Sequence, residues 1–259
     1  MLLELAVRAA RAAGGLLLER FGAPATGVAS KTSRTDLVSD ADRDAERLIV
    51  GMLRAERPED ALQGEEGASR QGRSGVRWLV DPLDGTVNYL WGIPQWSVSV
   101  AASDEEGPSI GVVHDPTRGE TFTAVRGQGA RLDARPLALD PGPSLDEALV
   151  GTGFSYRADV RAEQAEILLH VVSRVRDIRR LGSAALDLAW IGAGRLDGFY
   201  EWGLSPWDWA AGALVVRESG GTFEEIPPEG ERPPGVLAAA PGVGAPLRAL
   251  LAEAGVAWP

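Results

Sequence analysis

The sequence contains no cysteine, which removes disulfides, thiolate zinc sites, iron–sulfur clusters and any cysteine nucleophile together. Histidine is almost as scarce, with only His114 and His170 present. A histidine-rich metal site, a phosphohistidine relay or a Ser-His-Asp triad therefore has very few places to be built. Long apolar runs are missing too. The apolar N-terminal stretch is interrupted by Glu4, Arg8, Arg11, Glu19 and Arg20, so nothing reaches the roughly 18 uncharged residues of a membrane span, and a soluble cytoplasmic protein is expected. Positive charge is in deficit, with 26 Lys and Arg against 37 Asp and Glu for a net −11. That balance opposes nucleic acid and anionic membranes as partners. It would repel a phosphate substrate as well, unless some of the acids gather divalent cations and so invert the local field.

What is present is an ordinary globular composition, 44% hydrophobic and 24% charged over 259 residues, enough for one large core or two modest domains. Residues 2–20 read as an amphipathic helix with Leu3, Val7, Ala10 and Leu17 near helical spacing. After a polar hairpin-like loop around Lys31 to Thr35, Ala41, Ala45, Leu48, Ile49, Met52 and Leu53 mark a second helix with Ser39 as N-cap. Strands are expected at 76–80, 97–101, 110–114 and 121–125. The Pro/Gly-containing stretch 137–144 divides the chain into halves, 1–138 and 139–259, that form one compact unit. The second half reads as a strand at 148–152, helices at 163–175 and 183–193, a strand at 196–202, a helix from Ser205-Pro206 to Ser219, strands at 222–226 and 236–240, and a helix near 246–254.

The segment Trp78-Leu79-Val80-Asp81-Pro82-Leu83-Asp84-Gly85-Thr86 drives a buried strand into two carboxylates three residues apart. Pro82 holds Asp81 extended, and Gly85 permits a sharp turn that returns Asp84 to the same side. The amides of Gly85 and Thr86 then open a helix, where an anion is favoured. Two converging carboxylates beside an anion site suit a hard cation such as Mg2+ shared with phosphate oxygens. An ordinary strand-to-helix turn explains Asp, Pro and Gly, though not the second acid.

Two further acids lie at junctions between elements, where catalytic residues concentrate. Glu65, next to Glu66 between two glycines, could reach the same rim or simply belong to a solvated acidic turn. Asp208 fits a helix cap three residues after Ser205, and equally a ligand. With Asp81 and Asp84 they form an oxygen-only set that points to Mg2+ or Mn2+ rather than zinc or copper. Gly107-Pro108-Ser109-Ile110-Gly111 matches a serine-hydrolase pattern but lacks the strand before and helix after that a nucleophile elbow needs. Gly127-Gln128-Gly129 lacks the helix of a dinucleotide fingerprint and reads as a hairpin turn. The eight tryptophans read as packing residues.

Asp81-Pro82-Leu83-Asp84-Gly85-Thr86-Val87-Asn88-Tyr89 resembles the D-P-x-D-G-T-x-N-F/Y signature of the inositol monophosphatase family. Trp207-Asp208-Trp209-Ala210-Ala211-Gly212 resembles its W-D-x-A-A-G signature, and Gly64-Glu65-Glu66 and the Lys31 loop fall in the family's order. The resemblance implies an α/β (α+β) fold, a layered αβαβα sandwich shared with fructose-1,6-bisphosphatase. It implies that Glu65, Asp81, the Leu83 carbonyl, Asp84 and Asp208 hold two or three Mg2+ ions, with Mn2+ a possible substitute. It further implies that Thr86 and Glu65 orient the attacking water, that Asp42 supports Thr86, and that Asp84, Gly85, Thr86, Gly182, Ser183, Ala184, Glu201 and Asp208 meet the substrate. Ser183 stands where threonine is frequent, which keeps the hydroxyl and loosens the wall.

The implied activity is Mg2+-dependent, lithium-sensitive hydrolysis of a small phosphorylated polyol or sugar, foremost myo-inositol 1-phosphate, by a homodimer. Fructose-1,6-bisphosphatase, histidinol-phosphatase and adenosine 3',5'-bisphosphate phosphatase are alternatives within the same chemistry. A non-catalytic scaffold is the alternative outside it.

Overall fold

A computed structural model describes residues 1–31 and 37–258. The expected Lys31–Thr35 loop lies outside the described residues beyond Lys31 itself. In the first half, α1 (Leu2–Arg20) precedes a short ribbon of β1 (Ala29–Ser30) and β2 (Leu37–Val38), then α2 (Asp40–Glu56). The next strands are β3 (Ala61–Gly64), β4 (Ser69–Arg70) and β5 (Arg77–Asp84), followed by the single-turn α3 (Thr86–Leu90). A meander completes this half: β6 (Ser97–Asp104), β7 (Gly107–Asp115), β8 (Glu120–Val125), β9 (Gly129–Leu132) and β10 (Arg135–Leu137). These strands make an eight-stranded sheet in the order β10-β9-β8-β7-β6-β5-β3-β4, antiparallel except where β3 runs parallel to β5.

The second half supplies β11 (Leu149–Thr152), α4 (Ala158–Val171), β12 (Asp177–Arg179), α5 (Ala184–Gly192), β13 (Gly198–Trp202), α6 (Pro206–Glu218), β14 (Thr222–Ile226), β15 (Gly235–Ala239) and α7 (Pro241–Glu253). Its five-stranded sheet has the order β12-β11-β13-β15-β14.

Four apolar clusters define how these elements stack. Leu5, Ala9, Ala13 and Leu17 of α1 and Ala45, Ile49 and Leu53 of α2 pack on Trp78, Val80, Val98 and Val100 of the large sheet. The opposite face of that sheet, with Leu79, Ala101, Val113 and Phe122, packs on Leu186, Ala189, Ala211 and Leu214 of α5 and α6. The outer sides of α5 and α6, through Leu188, Ile191, Ala213 and Val216, meet Phe199 and Ala238 of the small sheet. That sheet's far face, with Val150, Tyr200 and Leu237, is covered by Ile167 of α4 and Val243 and Leu247 of α7. The result is helix, sheet, helix, sheet, helix, as the resemblance implies. A strand buried on both faces reads as a nearly continuous apolar run, which is why Trp78 to Val80 lacks alternation.

Local chemistry explains the helix starts. Ser39 and Asp42 form a capping box at α2: the Ser39 hydroxyl accepts the Ala41 N–H, and the Asp42 carboxylate accepts the Ser39 N–H. α7 begins at Pro241, earlier than the expected 246, because proline at the first helical position costs no hydrogen bond. Pro246 lies inside that helix. α4 likewise starts before the expected residue 163, and β5 continues through Asp81 to Asp84, with its register against β6 shifting there. The buried stripe of α1 is Leu5, Ala6, Ala9, Ala10, Ala13 and Leu17, while Leu3 and Val7 are only half-buried. The Gly107–Gly111 run is the start of a strand and not an elbow.

Candidate active site

Asp81, Pro82, Leu83 and Asp84 end β5 in the middle of the molecule, between the large sheet and the starts of α5 and α6. Asp81 is 2% exposed, and its Oδ1 accepts the Leu83 N–H at 3.0 Å, which fixes the carboxylate across the proline. Gly85 follows with φ 95 and ψ 34, the left-handed conformation the turn requires. A side chain there would also press on the carbonyl oxygens of Gln95 and Gly182, at 3.0 and 3.2 Å from a Cβ. The turn before α3 thus rests against the turn before α5. Asn88 locks the two together by donating from Nδ2 to the carbonyls of Gln95 and Leu181, each at 2.7 Å.

Asp84 faces the beginning of α5. Its Oδ2 accepts the Ser183 hydroxyl at 2.6 Å and the Ala185 N–H at 2.8 Å. Ser183, expected as an N-cap, spends its side chain on Asp84 and makes no capping bond. Gly182, at φ +89, passes so close to Asn88 Nδ2 that a Cβ would lie 2.8 Å from it. Thr86 Oγ1 lies 2.9 Å from Asp42 Oδ1 and 3.0 Å from the Leu83 carbonyl oxygen, and all three groups are buried. A hydroxyl has one proton, so it serves one acceptor at a time. Asp42 is also held by the Ser39 hydroxyl at 2.6 Å.

Glu65 sits in the turn after β3, its N–H donating to the Val80 carbonyl at 3.1 Å. Lys31 Nζ reaches Glu65 Oε1 at 2.8 Å and also bonds Glu66. Glu46, on the buried stripe of α2, accepts the N–H groups of Glu66 and Ala68 and so shapes this turn. Gly64 makes room for it, since a Cβ would stand 2.1 Å from the Glu46 carboxylate. Asp208 opens α6 and accepts the Ser205 N–H at 2.7 Å, so the capping role considered from the sequence is real. Glu201, on β13, is half-buried and occupies the space above Gly153, where a Cβ would come within 2.0 Å of its carboxylate.

The electrostatics tie these acids into one site. Burial first, then the charges of Glu65, Asp84 and Asp208, push the Asp81 carboxyl well above its usual range. Asp208 is raised by burial, Glu65 and Asp84. Burial raises Asp84 to about 6 against the opposing bonds from Ser183 and Ala185, and burial raises Glu201 to about 8. Each carboxylate feels the others through a low-dielectric interior. For Lys31, burial alone would lower the ammonium, but Glu65 and Glu66 hold it above its ordinary value.

Among the described residues, no three acidic or imidazole side chains form a ready-made cation cage. Each acid of the expected metal set has instead been drawn toward a protein partner: Glu65 to Lys31, Asp81 to the Leu83 amide, Asp84 to Ser183, Asp208 to the Ser205 amide. The expected Leu83 carbonyl ligand competes with Asp42 for the single proton of the Thr86 hydroxyl. The set still fits a hard divalent ion in chemistry. Its donors are all oxygens, Asp81 and Asp84 are buried with no cationic partner among the described residues, and their mutual repulsion is what a cation relieves.

Sequence reasoning missed Glu46, which a lone acid on an apolar helix stripe could have flagged, and the cross-link made by Asn88. It also missed Asp187, 1% exposed and with Oδ1 unpartnered among the described residues, for which nothing in the local sequence gives a signal.

Comparison with known proteins gives consistent results. The profile of the inositol monophosphatase family matches residues 1–255. The Escherichia coli (strain K12) protein named Nus factor SuhB is 41% identical over 230 residues, covering 87% of this chain and 85% of the relative. The crystal structure of the extragenic suppressor protein suhB from Bartonella henselae superposes with a TM-score of 0.89 at 35% identity, over 96% of this chain and 98% of that one. The Thermotoga maritima IMPase gives 0.87 at 31% identity, over 98% and 97%.

Proposed function

The chain belongs to the inositol monophosphatase family, and from that premise we propose that it is a Mg2+-dependent phosphomonoesterase whose preferred substrate is myo-inositol 1-phosphate or a closely similar polyol phosphate. Family membership supports phosphatase activity as such. The observation that carries the reading is the burial of Asp81 and Asp84 beside Asp208 and Glu65, whose charges raise the proton affinity of Asp81, with the Thr86–Asp42 pair alongside. A binding surface has no use for such a costly concentration of acid.

In this reading Glu65, Asp81, the Leu83 carbonyl, Asp84 and Asp208 hold two or three Mg2+ ions, for which Mn2+ can substitute. Bound there, the metal neutralises the phosphoryl oxygens and acidifies water. The chain's own residues do the positioning. Thr86 and Glu65 hold the attacking water in line with the phosphorus, and Asp42 fixes the Thr86 hydroxyl so that its orientation is set before substrate arrives. The Gly85 and Thr86 amides face the phosphate. Ser183 pins Asp84, while Gly182, Ala184 and Glu201 form the wall that meets the polyol hydroxyls. The active form is a homodimer in the cytoplasm, inhibited by lithium. No described helix is long and apolar enough to cross a membrane.

A panel of phosphomonoesters with purified protein and Mg2+ tests the substrate. The expected result is fastest phosphate release from myo-inositol 1-phosphate, ahead of fructose 1,6-bisphosphate, histidinol phosphate and adenosine 3',5'-bisphosphate. No detectable release from inositol 1-phosphate sinks that choice. A second reading, a role as a non-catalytic scaffold, is favoured by the name Nus factor carried by the Escherichia coli relative, and absence of turnover on the whole panel would establish it.

A further inference from the structure

Asp187, in the first half of α5, is a buried acid outside the metal and water set. It is 1% exposed, and its Oδ1 has no hydrogen-bond partner among the described residues. Helical spacing fixes the face it occupies. Ala184, Leu188 and Ile191 pack against Phe199 of β13 and Ala238 of β15, and Asp187, one turn from both Ala184 and Ile191, shares that face. Strand alternation fixes the opposite side. Tyr200 and Trp202 face α4 and α7, so Glu201, like Phe199, faces α5. β12 and β13 both run parallel to β11, so α5, the crossover between them, runs back against them. The end of β13 therefore lies beside the beginning of α5, and Glu201 faces Asp187 there. Gly153, past the end of β11, closes on the Glu201 carboxylate from the side.

A carboxylate at Asp187 would be a buried charge without a partner. The charged groups that act on it are Glu201 of β13, Asp84 at the end of β5 and Arg180 in the turn before α5. Two of these are acids, and Arg180 is exposed, with its Nη1 beside Gly182. α6 and β15 bring Ala213, Val216, Val236 and Ala238 to the same contact, none of them charged. Burial first, then Glu201 and Asp84, push the Asp187 carboxyl well above its usual range, with Arg180 opposing. A protonated carboxyl is a donor as well as an acceptor, and the acceptor it faces is Glu201.

We infer that Asp187 is a positioning residue of the active site, which in its protonated form donates a hydrogen bond to Glu201 and holds that carboxyl group toward the substrate's hydroxyl groups. One Glu201 oxygen is occupied by Asp187, and the other is left for the substrate. Asp187 itself touches no substrate. The inference rests on the reading that Glu201 meets the polyol, and it adds to that wall a residue behind it that sets its orientation.

The test titrates myo-inositol 1-phosphonate and methylphosphonate, neither of which is hydrolysed, calorimetrically into the protein with Mg2+. The wild-type protein prefers the inositol ligand. Asp187→Ala and Asp187→Leu, the second filling the space that the first empties, each weaken the inositol ligand about tenfold, the scale of one hydrogen bond. Methylphosphonate affinity stays within about twofold. Asp187→Asn keeps a donor and restores inositol affinity to within about threefold of wild type. On a Glu201→Ala background, Asp187→Ala has no further effect, because the two residues act as one unit. A preference unchanged in both Asp187→Ala and Asp187→Leu, an equal loss of both ligands, an Asn variant as weak as Ala, or additive losses in the double variant overturns the positioning role and leaves the polyol reading standing. A wild-type protein with no preference for the inositol ligand overturns the polyol reading and the inference together.

Discussion

Thr86 is the residue at which chemistry and structure separate most cleanly. Thr86→Val keeps shape and deletes the hydroxyl, leaving buried Asp42 with the Ser39 hydroxyl and amide. We expect kcat to fall by about 10²-fold and stability by about 1–2 kcal/mol, with Thr86→Ser restoring most of both; steady-state kinetics and thermal melts check this. Glu201 acts on substrate fit. Gly153→Ala would thrust a methyl group into the Glu201 carboxylate, so it should raise KM about as much as Glu201→Gln and change kcat far less. Equal losses in kcat would instead place Glu201 in the chemical step. At this scale the sequence was informative for Asp81, Asp84 and Thr86, because proline and glycine leave few backbone paths between them. It was uninformative for Asn88 and Glu46, whose partners lie in distant segments, and for the acids' protein partners, since Lys31 and Ser183 reach them only through the tertiary fold.

Among the elements, α6 is the one that joins site to core. Its first turn presents Asp208, and its body touches both sheets. The glycine ending the W-D-x-A-A-G signature, Gly212, is a packing residue: a Cβ there would meet Leu188 Cβ at 2.5 Å. Gly111 of β7 allows the same closeness on the other side, with Ala211 backbone atoms 2.7–3.2 Å from a Cβ. Gly111→Ala therefore overpacks backbone against backbone and should cost about 2–3 kcal/mol in denaturant unfolding. A shift under about 0.5 kcal/mol would mean the two elements separate easily. Long periodic elements such as α2 and hairpin strands such as β7 and β8 were legible in the sequence. Two- and three-residue strands such as β4 and β12 were not, because pairing and not periodicity makes them, and α7 was read late because Pro246 resembled a start when Pro241 was the start.

The whole molecule is five stacked layers with the buried acids Asp81 and Asp84 placed where the central helices meet the large sheet. Elsewhere its charges stabilise. Asp60 is 1% exposed; burial would raise its carboxyl, but bonds from Arg57, Ser74 and Trp78 hold it below its usual value. Its stabilisation is complete above the unfolded carboxylate pKa of roughly 4 and is lost as pH falls through the lower folded value. Asp60→Asn should cost about 3 kcal/mol at pH 7, with the gap to wild type narrowing below about pH 4 in pH-dependent melts. The layer order became legible only through the family signatures, since no periodicity states which helices lie between two sheets.

Phosphate release from myo-inositol 1-phosphate as Mg2+ is titrated, in the wild-type protein and in Asp81→Asn, tests the central claim most directly. Turnover that requires Mg2+ and falls about 10²-fold or more in the folded variant is the predicted result. Turnover without Mg2+, or a variant as active as wild type at saturating Mg2+, would contradict the account.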